Sequence, residues 1–527
     1  MNNRKLLKST GVIGISTTIS RILGFVRDIL FANFFGTNMF AQAFVVAFRL
    51  PNMLRHMVGE GAADSAIVPI LTEYKHTKTV EEYWEASRVI LCFMFVFLLI
   101  FSVIGVFFAP LLVKVIAPGF LASNEKFLLT VSLTKMMFPY ILFIGLVSYC
   151  KGVLNSLNYF FTPAFSPVVL NISMIFSLLV FCHIFGIKGM VFGVIIGGIL
   201  ELGIQILPLY KKGFRLIKLN SFYHPVIKRI GKLILPRAIG TAVYQLSILM
   251  DTVLASLTWI VGSGGVAALY YSNRLVQLPL AIFGISLATA VLPNMSKSFA
   301  QKKIHDFKNT ILFSLKTVFA IMIPSTIGFL ILSKFIIQLL FQRGEFTNYS
   351  TNITSNALFF YSLGLFAYAG IKILVSAYYA MSDTKTPLKT AFVSLLLNLF
   401  LNLLLMWPLK VGGLACATSI AAMMNLFFLY YFLTKKIGDI GLFSIIFCFL
   451  KICLASFLMG CITMYFSIVL LNDTFSLDVF CLFKFCFVIL LSILSYLFFC
   501  YILNIEVIKK IIQEIMIKIK KTKNVAI

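Results

Sequence analysis

Residues 16–36 read STTISRILGFVRDILFANFFG, and this stretch decides the fold. On a helix that turns by about 100° per residue, Arg21, Arg27 and Asp28 fall within an arc of about 140°. Isoleucine, leucine, valine and phenylalanine side chains take the opposite side. An apolar helix with one charged face is typical of a membrane span that lines a polar space.

The next apolar run, residues 39–60, repeats this arrangement. Its polar positions share one helical arc, and they are Gln42, Arg49, Asn52, Arg55, His56, Gly59 and Glu60. Pro51 is expected to kink this helix. Two neighbouring helices are therefore predicted to line a polar, cationic space.

The composition places these helices in a membrane. Of the 527 residues, 60% are hydrophobic and only 12% are charged, which lies outside the range of soluble globular domains. The apolar runs of about 20 residues can cross a hydrocarbon core of about 30 Å as helices, and they lack the alternation of a membrane β-barrel. We predict an all-α polytopic membrane protein with about fourteen transmembrane helices.

The net charge of +27 comes mainly from loops between the spans. Basic residues cluster near Lys211, Lys302 and Lys435 and in the C-terminal tail, all on one side of the predicted spans. By the positive-inside rule this side and both termini are cytoplasmic, in a multi-pass membrane protein. Nucleic acid is not an expected partner, because basic residues that flank spans are an ordinary topology signal.

The sequence carries no signature of catalysis. Ten cysteines occur singly, without CxxC spacing, and there is no HExxH, GxSxG or glycine-rich phosphate loop. We predict a transporter with no cofactor and no metal, while coupling to sodium or protons stays open.

An internal repeat organises the chain. Gly189 through Lys212 aligns with Gly413 through Lys436 at identical spacing, and Asn171 is echoed by Asn398. Each copy holds six spans, so both have the same orientation, as in many transporters. We predict a six-helix lobe at 1–212, a second at 213–440, two extra helices at 441–505, and a basic tail at 506–527.

The arginines inside the spans require compensation, because each costs about 2.5 to 3.5 kcal/mol at a helix centre. Planar guanidinium groups are suited to phosphate, which favours a cavity for an anionic substrate. We interpret Arg21, Arg27, Arg55 and Arg274 in this way, while for Arg49 substrate binding and structural pairing are equally supported. The alternative for Arg27 is an ion pair with Asp28. If the arginines line a cavity unpaired, replacing Arg27 or Arg274 should abolish transport without lowering the protein level.

The acidic residues have other candidate roles. Asp28 pairs with an arginine or forms part of a gate, and Glu60 closes the mouth of the cavity or caps a helix. Asp251 lies in an otherwise uncharged span, where it could bind a proton or small cation with help from Asp383 or Asn398. A buried, protonated Asp251 is the equally supported alternative.

Several motifs resemble one known family. SRILGFVRD, AFRLPNMLRHMVGEGA, VPILTEY, YYSNRLVQLP, LPNMSKSFA and DTKTP are similar to segments of the MurJ (MviN) flippases, within the multidrug/oligosaccharidyl-lipid/polysaccharide exporter superfamily. The resemblance runs from near the N-terminus to about residue 440.

This resemblance implies a protein that moves lipid II, a polyprenyl-pyrophosphate-linked disaccharide pentapeptide, from the cytoplasmic to the outer leaflet. It also implies two six-helix lobes around a cationic cavity, alternating access, and a groove for the lipid tail formed by the last two helices. The essential arginines of the family match Arg21, Arg27, Arg55 and Arg274, and an acidic residue matches Glu60. Lipid II and membrane lipids are the implied partners, and the cell-wall synthesis machinery is a further candidate.

Two positions depart from the family pattern, since Gln42 and Asn273 stand where many relatives have Asp. We expect these neutral side chains to leave Arg49 and Arg274 without nearby acids and to strengthen phosphate binding. The alternatives to a lipid II flippase are a flippase for another polyprenyl-pyrophosphate oligosaccharide, a cation-coupled drug exporter of the same superfamily, and a membrane scaffold.

Overall fold

The computed structural model describes residues 3–56, 66–215, 224–471, 479–509 and 513. Within these ranges the chain is helical and contains no strand. The helices are α1 (Asn3–Phe35), α2 (Met39–Leu54), α3 (Val68–Thr77), α4 (Val80–Ile116), α5 (Asn124–Met137), α6 (Tyr140–Ser156), α7 (Phe161–Leu179), α8 (Phe181–Phe185), α9 (Ile187–Lys211), α10 (Pro225–Ala255), α11 (Thr258–Val261), α12 (Gly265–Pro279), α13 (Ser286–Ala300), α14 (Ile304–Phe341), α15 (Asn348–Leu363), α16 (Leu365–Ala380), α17 (Lys385–Leu409), α18 (Val411–Ile437), α19 (Leu442–Leu471) and α20 (Val479–Ile502). A 3-10 turn covers Pro118–Ala122, and a π-helical segment, Leu280–Ile285, joins α12 to α13.

The helices confirm an all-α polytopic membrane protein. In the described part of the chain, ten helical segments are long and apolar enough to cross a membrane, with α5 and α6 counted as one segment and α12 and α13 as another. The count is eleven if α15 and α16, which meet at a 44° bend, form one span. The three other predicted spans fall on α1, α2 and α10, which do not meet these criteria. The count of fourteen therefore stays a prediction.

One compact unit, unit 1, comprises Met1–Ala267 and Arg343–Thr347. In it α1 packs on α7, α9 packs on α6 and α7, and α2 packs on α5. Small residues allow the close approach of α7 and α9, since the Ser173 hydroxyl donates to the carbonyl oxygen of Gly193 at 2.8 Å. The neighbouring Ser177 hydroxyl donates to the carbonyl oxygen of Gly189 at 2.5 Å. This packing brings polar side chains of α1, α7 and α9 into the interior of unit 1.

The second unit, unit 2, comprises Ala268–Gln342 and Asn348–Ile527. Here α18 packs on α15, α16 and α17, while α14 packs on α15, α16 and α19. The last helix is fixed to α14 by the Tyr496 hydroxyl, which donates to the carbonyl oxygen of Ala320 at 2.6 Å. The predicted lobe boundaries at 212 and 440, and the groove between the last two helices, stay predictions.

The predicted repeat is visible in the turns that precede α9 and α18. Gly186 has φ 55° and ψ −138°, and Lys410, at the equivalent position, has φ 52° and ψ −127°. Three residues later, a Cβ added to Gly189 would lie 2.6 Å from the backbone of Phe181, and one added to Gly413 would lie 2.1 Å from that of Leu405. The two copies therefore share one tight turn in the same register.

Lys410 adopts a conformation that its counterpart Gly186 accommodates without strain. Such a conformation costs a non-glycine residue about 1 to 3 kcal/mol. We expect Lys410→Gly to raise the free energy of unfolding by about 1 kcal/mol, because the relief of backbone strain exceeds the extra conformational entropy that glycine loses on folding. The matched change Gly186→Ala should lower it by about 1 to 3 kcal/mol, since nothing lies within 4 Å of the added Cβ and only the backbone is strained.

Unfolding of the two purified variants in detergent, followed by circular dichroism, measures both effects. Shifts of the same sign in the two variants would contradict the shared turn.

Candidate substrate-binding site

Arg27 is buried in α1 and is held by three neighbouring side chains. Its Nε and Nη2 donate to Oδ1 of Asp28 at 3.0 and 2.7 Å. Its Nη1 donates to Oδ1 of Asn171 on α7 at 3.0 Å and lies 3.6 Å from the sulfur of Met174. The Arg27 and Asp28 side chains are only 9% and 4% exposed. The cluster therefore joins α1 to α7 through charge-assisted hydrogen bonds.

Asn171 orients this cluster. Its Nδ2 donates to the carbonyl oxygens of Ser20 and Pro167, each at 3.0 Å, so its Oδ1 faces Arg27. Gly24 lies beside the amide, and a Cβ there would make an ordinary van der Waals contact with it at 3.6 Å. Asn171 thus connects the backbones of α1 and α7 while it accepts a hydrogen bond from the guanidinium group.

The structure contains the ion pair that the sequence left as the alternative for Arg27. The expectation that Arg27 can be removed without lowering the protein level rested on an unpaired charge and is not supported, because Asp28 is its buried partner. Substrate contact by Arg27 stays a prediction.

Arg55 lines a partly open cavity of about 90 Å³ in unit 1. The cavity is also lined by Lys151 of α6, Ser166 of α7, and Glu201 and Gln205 of α9. The Ser166 hydroxyl donates to Oε1 of Glu201 at 3.1 Å and accepts from Nε2 of Gln205 at 3.1 Å. Two cationic side chains at its wall suit an anionic group.

The other predicted arginines have different surroundings. Arg21 is exposed on α1, and Arg49 is half-buried on α2. In unit 2, Arg274 is half-buried, with its guanidinium carbon 5.2 Å from the ring centre of Tyr270. Its Nη2 lies 3.4 Å from the hydroxyl oxygen of the same tyrosine. Glu60, the predicted residue at the mouth of the cavity, falls outside the described residues.

Two of the three candidate cation-site residues, Asp383 and Asn398, lie in unit 2. Asp383 precedes α17, and Asn398 lies 15 residues further along, which is about 22 Å on a helix that rises 1.5 Å per residue. These two residues therefore cannot hold one ion together. Asn398 instead donates to Oγ1 of Thr418 at 3.2 Å and accepts from Asn402 at 3.1 Å. Asp251 is buried in α10, and its role in cation binding stays a prediction.

Asp383 stabilises the turn before α17. It accepts hydrogen bonds from Lys436 on α18, from the Thr386 hydroxyl at 2.6 Å, and from the backbone N–H groups of Lys385 and Thr386, each at 3.0 Å. Partial burial acts to raise the pKa of Asp383, but the bonds from Lys436 and Thr386 outweigh it and lower the pKa to about 2. Because the pKa is lowered on folding, this stabilisation is present above about pH 4 and is lost as the pH falls towards 2.

We therefore expect Asp383→Asn to lower the melting temperature at pH 7 and to differ much less from the wild type near pH 2. Melting curves of both proteins in detergent across this range test it. Asp306→Asn, in the first turn of α14, is the control for a general effect of losing one acid. A difference between Asp383→Asn and the wild type that is the same at every pH would contradict the prediction.

Two buried polar groups were missed in the sequence. Lys126 at the start of α5 is 7% exposed, and its Nζ lies 3.8 Å from the ring centre of Phe120. It was missed because a lysine at the end of an apolar run reads as a topology signal. Glu201 was missed although a single acid inside the run GGILELGIQ is a recognisable signal.

Lys126 corrects the interpretation of Gln42. Its Nζ donates to Oε1 of Gln42 at 3.0 Å, and Nε2 of Gln42 donates to the carbonyl oxygens of Thr37 and Asn38 at 3.1 and 3.3 Å. Gln42 thus contacts a lysine and the first turn of α2, and the expectation that it replaces an acidic partner of Arg49 is not supported. Asn273 accepts a hydrogen bond from Nε2 of Gln277 on the same helix at 2.5 Å.

The fold and the buried polar clusters define a membrane transporter. The chain resembles an inward-facing multidrug resistance MATE family transporter of the MOP superfamily, with a TM-score of 0.66 at 14% identity over 80% of this chain and 95% of that one. At this identity the likeness concerns the fold alone. A structure of the lipid II flippase MurJ in an inward closed conformation is more similar, with a TM-score of 0.78 and 31% identity over 93% and 98% of the two chains.

The family follows from the sequence match. The family model described as lipid II flippase MurJ matches residues 31–487. A probable lipid II flippase MurJ from Buchnera aphidicola subsp. Acyrthosiphon pisum is 37% identical over 422 residues, which are 80% of this chain and 82% of the relative. The chain belongs to the lipid II flippase MurJ family.

Proposed function

We propose that this protein moves lipid II from the cytoplasmic to the outer leaflet of the membrane. The proposal is carried by membership of the MurJ family over residues 31–487. The cavity beside Arg55 and Lys151 supports it, because two cationic side chains suit the phosphates of a polyprenyl-pyrophosphate lipid. The protein is a transporter in this proposal, and the lipid crosses by alternating access through a cationic cavity.

The arginines are assigned a shared role in binding the headgroup. Arg55 binds phosphate at the cavity, with Arg21, Arg27, Arg49 and Arg274 as further contacts. Asp28 and Glu60 hold these cations when substrate is absent and act at the gate.

The membrane potential provides a driving force for this direction of transport. Outward movement of one negative charge across an inside-negative membrane releases about 2.3 kcal/mol per 100 mV, so a doubly charged pyrophosphate gains about 4 to 5 kcal/mol. Nucleotide hydrolysis is not required. Sodium or proton coupling, with Asp251 as a binding residue, is the additional source of energy in this proposal.

The setting follows from the substrate. We place the protein in the bacterial inner membrane with both termini in the cytoplasm, in contact with membrane lipids and next to the cell-wall synthesis machinery. A drug exporter is disfavoured because cationic side chains at the cavity repel organic cations. A flippase for another polyprenyl-pyrophosphate oligosaccharide remains the closer rival on charge alone.

Replacement of the native flippase tests the proposal. A bacterium depleted of its own lipid II flippase would express the wild type, Arg55→Ala or Arg215→Ala, and lipid II in the outer leaflet would be measured. Arg215 is the matched control, because its guanidinium group stacks on Tyr210 and does not line the cavity. We expect rescue by the wild type and by Arg215→Ala, and loss with Arg55→Ala at equal protein level.

Two outcomes would overturn the proposal. A wild-type protein that is present in the membrane but leaves lipid II in the inner leaflet excludes it as a lipid II flippase in that cell. If Arg55→Ala restores lipid II transport as completely as Arg215→Ala does, the cavity takes no part in transport.

A further inference from the structure

Two buried oxygen atoms at the cavity of Arg55 have no hydrogen-bond donor. They are Oε2 of Glu201 and Oε1 of Gln205, and no described residue donates to either of them. The two side chains are 2% and 0% exposed. A buried acceptor left without a donor costs about 1 to 3 kcal/mol, and more if it is charged. Folding alone does not explain why both are retained.

The acceptors are held in place by their own hydrogen-bond network. Glu201 and Gln205 are four residues apart on α9 and so lie on the same face of the helix. The Ser166 hydroxyl is bonded to the other polar atom of each side chain. It donates to Oε1 of Glu201 and accepts from Nε2 of Gln205. The network fixes both side chains and leaves one oxygen of each without a donor.

The same cavity is lined by two cations, Arg55 and Lys151. A plain anion would meet the cations but would offer no donor to Glu201 or Gln205. A plain organic cation would meet Glu201 and would be repelled by Arg55 and Lys151. The wall therefore fits a ligand that carries an anionic group and hydrogen-bond donors side by side.

We propose that this cavity is a saccharide subsite, in which Glu201 and Gln205 accept hydrogen bonds from hydroxyl or amide N–H groups of the sugar that adjoins the pyrophosphate. Arg55 and Lys151 bind the phosphate next to it. This inference rests on the proposed function and adds a means of telling a glycosylated lipid from a bare polyprenyl pyrophosphate. Glu201 is then a specificity-determining residue, because its buried oxygen receives a hydrogen bond from the sugar and is left without one when the lipid carries no sugar.

The internal repeat offers a matched control. Glu201 follows Gly189 by 12 residues, and Asn425 follows Gly413 by the same interval. Oδ1 of Asn425 is also buried without a donor, but the residue is neutral and belongs to unit 2. A change at Asn425 removes a comparable acceptor from the equivalent helix and leaves the cavity of Arg55 unchanged.

The experiment compares two lipids that differ in the sugar. Wild type, Glu201→Leu, Glu201→Gln and Asn425→Leu would be reconstituted in nanodiscs, and binding of lipid II and of undecaprenyl pyrophosphate would be measured. We expect Glu201→Leu to weaken lipid II binding about 10- to 100-fold and to leave undecaprenyl pyrophosphate binding equal or tighter. Glu201→Gln keeps one acceptor oxygen and should lose less. Asn425→Leu should bind both lipids as the wild type does.

Each other outcome has a defined meaning. Equal loss of both lipids in the Glu201 variants, or no loss of either, would overturn the saccharide subsite. If Glu201→Leu does not fold, Glu201→Gln decides, and an unchanged ratio of the two affinities would overturn the subsite. Transfer of lipid II by wild-type proteoliposomes, measured in parallel, separates this inference from the proposed function, because failure of that transfer counts against the function itself.

Discussion

Arg27→Ala is expected to lower the free energy of unfolding by about 3 to 5 kcal/mol, because it removes the guanidinium group that donates two hydrogen bonds to buried Asp28. It also removes the donor to Asn171, which joins α1 to α7. The protein level in the membrane should fall together with transport.

A double-mutant cycle separates the ion pair from other effects of the substitution. Asp28→Ala should also destabilise the protein, while the double variant Arg27→Ala/Asp28→Ala should be more stable than either single one. Arg27→Lys keeps the charge but loses the planar fork, and should fall between Arg27→Ala and the wild type. Thermal unfolding of the purified variants is the measurement. Strictly additive losses would show that the pair is not what holds Arg27.

Gly36→Ala is expected to lower the free energy of unfolding by about 2 to 5 kcal/mol. Gly36 has a φ of +49°, and an added Cβ would lie 2.2 Å from the carbonyl oxygen of Glu345. The segment that contains Glu345 is packed equally closely against the end of α1. A Cβ on Gly344, with φ +55°, would lie 2.4 Å from the carbonyl oxygen of Asn33. The backbone N–H of Glu345 donates to that oxygen at 2.9 Å.

Gly344→Ala should therefore be as damaging as Gly36→Ala. Gly203→Ala on α9 is the control, because nothing lies within 4 Å of its added Cβ and alanine favours a helix by up to about 1 kcal/mol. Melting temperatures of the three variants test the contact. A Gly36→Ala protein as stable as Gly203→Ala would exclude the backbone contact between Asn33 and Glu345 in solution.

Much of the fold could be predicted from the sequence because membrane helices leave a strong periodic signal. The apolar runs predicted the all-α polytopic class, and the matched glycines Gly189 and Gly413 predicted the register of the repeat. Both depend on local properties, the length of an apolar run and the small side chain required at a tight turn. The arc that contains Arg27 and Asp28 likewise predicted that the two charges lie on the same side of α1.

The site was harder to predict because partners come from distant parts of the chain. Asn171 is 144 residues from Arg27, and Lys126 is 84 residues from Gln42. No local pattern in one sequence joins such residues. Asp383 likewise binds Lys436, which lies 53 residues further along the chain.

The pairing of Arg27 with the adjacent residue bears on the order of events during synthesis. Asp28 leaves the ribosome immediately after Arg27, so the two charges can neutralise each other as soon as α1 forms, before the later helices have been made. Asn171 follows 144 residues later, which at about 5 to 20 residues per second is a delay of roughly 7 to 29 seconds. Carrying its counter-charge on the same helix lets α1 enter the membrane before the partner that finally fixes it has been made.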